Sequence, residues 1–76
     1  MTVNEAIGAR VRATRERAGM SRQALVRKAG DPCTEHHLGK LEAGHFAWTA
    51  DKLIAFARAL GVQSFEFMED AESQAG

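Results

Sequence analysis

The sequence holds a single cysteine among its 76 residues. That excludes an internal disulfide framework and makes the reducing cytoplasm the expected location. No stretch approaches the roughly 20 consecutive apolar residues of a membrane span, so no membrane role is expected. The N-terminus lacks a basic segment followed by an apolar run, and no secretory signal is expected. Missing too are a nucleophile and base in a recognisable constellation and a glycine-rich phosphate loop, and so short a domain has little room for a sizeable pocket. The chain is therefore not expected to be an enzyme or to carry a cofactor. Metal ligands are sparse: Cys33 and His37 stand four apart with His36 and His45 nearby, but structural zinc takes four ligands at ordered spacings. Cys33 reads instead as a small residue packed beneath a helix, and no metal is expected. Clean period-two alternation with hairpin chemistry is absent as well, which points to an all-α fold.

What is present suits one small globular domain, with 45% apolar and 26% charged residues. The formal net charge of zero hides an asymmetry. Residues 1–48 carry eight basic side chains (Arg10, Arg12, Arg15, Arg17, Arg22, Arg27, Lys28, Lys40) against five acidic ones, and the remainder carries two against five. A basic front and an acidic back is the electrostatic footprint of a nucleic-acid binder. Solvated helix faces would give the same pattern.

Helix signals follow one another along the chain. Thr2-Val3-Asn4-Glu5 fits a capping box, and Val3, Ile7, Val11, Thr14 and Ala18 recur at helical spacing as an inward stripe, with Arg10, Arg12 and Arg17 off it. Gly19 is the expected left-handed stop. Three later starts share one pattern, an apolar residue, a hydroxyl N-cap and an apolar residue four beyond the cap: Met20-Ser21 with Leu25, Cys33-Thr34 with Leu38, and Trp48-Thr49 with Leu53. Each is a hydrophobic staple opening a helix. The fourth helix is expected over roughly 50–60, with Leu53, Ile54, Ala57 and Leu60 inward and Gly61 as its stop. A short fifth helix over roughly 64–69 carries Phe65, Phe67 and Met68, and the acidic, polar residues 70–76 are expected to be disordered. The third helix has two possible beginnings. Thr34 is one N-cap; Asp31, with Pro32 at the first helical position, is another.

Taken together, Arg15, Gly19-Met20-Ser21, Leu25, Ala29-Gly30, Leu38, Leu41-Glu42 with Gly44, and Ala57-Arg58-Ala59-Leu60-Gly61-Val62 resemble the Cro and lambda-repressor-like helix-turn-helix proteins, the xenobiotic-response-element type, from about Ile7 to Met68. The resemblance implies a compact five-helix domain, residues 1–69, whose second and third helices form the DNA-binding motif. In such a motif one helix enters the major groove, where each base pair shows a distinct donor and acceptor pattern, and the preceding helix crosses the backbone. The base-reading positions it implies fall on Thr34, Glu35, His36, His37 and Lys40. Lys40 can donate to guanine or reach a phosphate, Glu35 can accept from cytosine N4, and His36 can do either. Arg22 and Gln23 at the start of the second helix, and His45, Phe46 and Trp48 after the third, are implied along the phosphates. Trp48 also reads as a core-filling staple.

Arg15 and Glu42 resemble the family's structural ion pair between the first and third helices. Two features depart from the family pattern: Asp31-Pro32 looks like a two-residue insertion, and Ala24 stands where a glutamate often closes a capping box on Ser21. The resemblance implies a small repressor of phage type, or a restriction-modification controller, that binds a near-palindromic operator in double-stranded DNA as a homodimer. Phe65, Phe67 and Met68 are its candidate interface; Phe67 and Met68 read first as core, and Phe65 is the better interface candidate. A rival reading on the same fold is a protein-interaction module or antitoxin, with a toxin or a polymerase as partner and DNA binding weak or lost.

Overall fold

The computed structural model describes residues 1–64 and 66–68, and these are helical without strands. Four helices follow in order: α1 (Val3–Arg17), α2 (Arg22–Ala29), α3 (Glu35–Glu42) and α4 (Ala50–Leu60). Helical conformation resumes at residues 64 and 66–68. The expectations for Phe65 and for residues 70–76 lie outside the described residues.

Each helix starts at a hydroxyl side chain that accepts the free amide three residues on, Thr2 from Glu5, Ser21 from Ala24, Thr34 from His37 and Thr49 from Lys52. At Thr2 the box is reciprocal: the Thr2 amide donates to Glu5 Oε1 at 2.9 Å. That backbone bond, then the Thr2 hydroxyl, holds the Glu5 carboxyl below its ordinary range. The three staples close as well. Leu25, Leu38 and Leu53 are buried, Trp48 is buried, and Met20 and Cys33 pack partly buried on the core. Gly19, Gly30 and Gly61 take the left-handed conformation just past α1, α2 and α4.

The core gathers Ile7 and Val11 from α1, Leu25 from α2, Leu38 and Leu41 from α3, and Leu53, Phe56 and Ala57 from α4, closed by Trp48 and Phe67. Helices α1 and α2 both rest on α3 and α4, so α3 is gripped between two helices and presents its remaining face outward. Trp48 meets Phe56 edge to face, with ring centroids 5.9 Å apart.

Three residues expected to face inward, Val3, Ala18 and Ile54, are exposed instead. Val3 and Ala18 are exposed, because they lie at the two ends of α1 where it runs past the core. Ile54 is also exposed, at 47%. Successive residues of a helix are about 100° apart, and the inward direction of α4 is set by Leu53, Phe56 and Ala57, which leaves Ile54 on the flank. Phe67, a candidate for a subunit interface, is 1% exposed and completes the core of its own chain. It has no surface left to offer a partner.

Candidate nucleic-acid interface

The start of α3 is set by Thr34, whose Oγ1 accepts the His37 amide at 3.0 Å. The alternative start at Asp31-Pro32 is overturned. The Asp31 carboxylate is engaged elsewhere: Oδ1 accepts the Cys33 amide at 2.9 Å and the Lys52 ammonium of α4 at 2.9 Å. Burial alone would raise the Asp31 carboxyl, but these two partners outweigh it and hold the group below the ordinary aspartate range. The same burial, with the charge of Asp31 beside it, pushes the Cys33 thiol up. Asp31-Pro32 is therefore tied to α4 through the Asp31 carboxylate, and α3 begins after it.

From Thr34 onward the helical spacing divides α3 into two faces. Leu38, Leu41 and Glu42 are buried, whereas Thr34, Glu35, His36 and Lys40 are exposed. His37 falls between these faces, half-buried, with its ring stacked on Phe46 at a centroid distance of 4.9 Å. This contact joins His37 to the loop after α3. Phe46 stays 47% exposed, and His45 beside it is exposed with its amide bonded to the Lys40 carbonyl.

The inner side of α3 is fixed by polar contacts as well as by its leucines. Arg15 of α1 donates through Nε to Glu42 Oε2 at 2.8 Å and through Nη2 to Oε1 at 3.2 Å, while its Nη1 donates to the Met20 carbonyl at 2.8 Å. The pair is buried, with side-chain exposures of 9% and 2%. Arg22 of α2 donates through Nε to the same Glu42 Oε1 at 3.1 Å, so one carboxylate ties three helices. Gln23, the next residue, is exposed.

The end of α3 is secured by Trp48. Its Nε1 donates to the Leu41 carbonyl at 3.1 Å, a second donor to an acceptor that also takes the Gly44 amide, and its own amide donates to Asn4 Oδ1 of α1. Trp48 is thus a structural residue and is withdrawn from the residues expected along the phosphates. Gly8 completes the grip. A Cβ at this position would run into the backbone carbonyls of Leu41 and Glu42, so the absence of a side chain lets α1 lie directly against the end of α3.

Gly8, Asn4 and the Arg22–Glu42 bond were not anticipated from sequence. A glycine in mid-helix, costly relative to alanine, was the one available signal of a close backbone approach. Among the residues named for a subunit interface, Met68 is 45% exposed, and Ile54 of α4 offers a second apolar surface.

No helix among the described residues is long and apolar enough to cross a membrane. A search of curated proteins gave no match. The structure resembles the crystal structure of the clp gene regulator ClgR from C. glutamicum, with a TM-score of 0.87 and 22% identity over all of this chain and 96% of that one. That likeness is one of fold. The sequence profile of a helix-turn-helix domain matches residues 6–66, which include all of α2, α3 and α4 and most of α1. On that match, over most of its length, the chain belongs to the helix-turn-helix domain family.

Proposed function

We propose that the chain is a DNA-binding transcription regulator of the cytoplasm, reading an operator in the major groove with the exposed face of α3. The observation that carries this reading is the division of α3: Glu35, His36 and Lys40 point outward, while Leu38, Leu41 and Glu42 anchor the helix beneath them. Base readout requires polar side chains held at a fixed angle, and α3 is held from its start at Thr34 to its last carbonyls at Trp48. In this reading Lys40 donates to guanine or to a phosphate, Glu35 accepts from cytosine N4, and His36 hydrogen-bonds a base edge, with Thr34 at the helix start. His37 supports Phe46, which with His45 and Gln23 lines the flanking phosphates. Two copies of the chain would bind a near-palindromic site with half-sites about one helical turn apart. Met68 and Ile54 offer exposed apolar side chains for that contact.

Selection from a random double-stranded DNA pool tests the proposal. The expected result is enrichment of a defined near-palindromic sequence, with an affinity that falls steeply as salt rises. Failure to enrich any sequence at low salt would refute operator reading and favour a protein-interaction role for the same surface.

A further inference from the structure

Gly39, half-buried, leaves a gap on the flank of α3, one turn beyond Glu35 and next to Lys40. That gap is occupied from α2. A Cβ built on Gly39 would sit 3.6 Å from Arg22 Nε, 3.7 Å from its Cζ and 3.8 Å from its Cδ, so the guanidinium of Arg22 lies over the bare backbone of α3. Resting on the reading of α3 as the groove-binding helix, we propose that Arg22 is a base-reading residue, delivered across Gly39 to donate its two terminal nitrogens to a guanine.

Three observations support this role over a purely structural one. First, Glu42 does not need Arg22 for its charge to be met, because Arg15 already donates to both carboxylate oxygens. Second, only the Nε of Arg22 is used, at 3.1 Å to Glu42 Oε1, and the terminal nitrogens make no hydrogen bond to the described residues. Third, the side chain is 39% exposed, and its guanidinium lies beside Gly39, the residue between Leu38 and the exposed Lys40.

The chemistry follows from the fork. With Nε held by a carboxylate, the remaining donor edge is the Nη1 and Nη2 pair, whose spacing matches the O6 and N7 acceptors of guanine in the major groove. An unbuttressed arginine loses rotamer freedom on binding. Arg22 has surrendered much of it beforehand, because Glu42 is locked by Arg15 and the bare Gly39 lets the stem lie against α3. A phosphate could use the same donors, but it would give binding energy without sequence preference.

The test compares the wild-type chain with Arg22→Gln, Gly39→Met and Gly39→Ala on the operator selected by the wild type and on all its single-base variants. Arg22→Gln removes the fork. Gly39→Met keeps Arg22 but fills its place from beneath, so the proposal does not depend on one variant folding. Alanine at 39 adds only a Cβ at ordinary contact distance and serves as the control. The expected result is that the glutamine and methionine variants lose about ten-fold or more of guanine preference at one base pair in each half-site, with other positions unchanged, while the alanine variant keeps it. A loss spread evenly over all sequences, with the salt slope reduced by about one, would make Arg22 a phosphate contact and overturn the proposal. An unchanged specificity profile would overturn it equally. If the wild type selects no operator, the groove-binding reading of α3 fails first, and the two failures are thereby told apart.

Discussion

Replacing Glu42 with alanine removes the acceptor for three donors, Arg15 Nε, Arg15 Nη2 and Arg22 Nε. The consequences for the two arginines differ. Arg22 is 39% exposed and can turn to water, so its loss contributes little. Arg15 is 9% exposed and keeps only the Met20 carbonyl, which leaves a largely desolvated cation without a counter-charge. Breaking a buried pair in this way costs about 3 to 5 kcal/mol. A domain of this length has a total stability of about 4 to 11 kcal/mol, so the substitution removes a large share of it and lowers the melting temperature by about 12 to 40 °C. Urea unfolding followed by circular dichroism gives the number. Glu42→Gln should fall nearly as far, because its amide group brings a donor against the donors of Arg15. The double variant Arg15→Met with Glu42→Leu should recover most of the loss, since no buried charge is left uncompensated. Stability of Glu42→Ala within about 0.5 kcal/mol of wild type would refute the reasoning.

Three further outcomes are expected. Gly8→Ala should destabilise by about 1 to 3 kcal/mol although alanine is the better helix former, because its methyl would push α1 off the Leu41 and Glu42 carbonyls; an unfolding midpoint at or above that of wild type would contradict this. Trp48→Phe, which keeps an aromatic ring but not the bond to the Leu41 carbonyl, should cost about 1 to 2 kcal/mol and speed amide exchange at the end of α3. Asp31→Asn should cost about 1 kcal/mol at neutral pH. The folded carboxyl of Asp31 lies below its unfolded value, so its contribution is present above the ordinary aspartate range and is lost as pH falls through that range toward the folded value. The gap between wild type and Asp31→Asn should therefore close on acidification, and a gap that widens would show the opposite shift. The same substitution should speed alkylation of Cys33 at fixed pH, because one cause of its raised thiol is removed.

The helix starts were legible because each is announced within six residues by an apolar residue, a hydroxyl and a second apolar residue, and those signals act locally. The face of α4 was less so. Leu53, Ile54, Phe56 and Ala57 are all apolar, and which of them turn inward depends on where α2 and Trp48 lie. Neither is visible from the spacing. The grip on α3 belongs to a third kind, in which contacts join residues far apart in sequence: Arg15 and Glu42 are separated by 27 positions, and Trp48 and Asn4 by 44. No periodicity reports on such pairs.

Gly8 and Gly39 carry this point furthest, because each is informative through what it lacks. Read locally, a glycine inside a helix is a loss of helix propensity of up to about 1 kcal/mol relative to alanine. Read in three dimensions, the missing side chain at 8 lets α1 press on the end of α3, and the missing side chain at 39 lets Arg22 lie over its flank. The two glycines act on one helix at different places: the first fixes the position of α3, and the second brings against it a guanidinium that its own sequence does not contain. On the proposed reading of α3 as the groove-binding helix, the side chains it would offer cannot be counted from residues 35–42 alone, and a recognition code for this chain would include a position on α2.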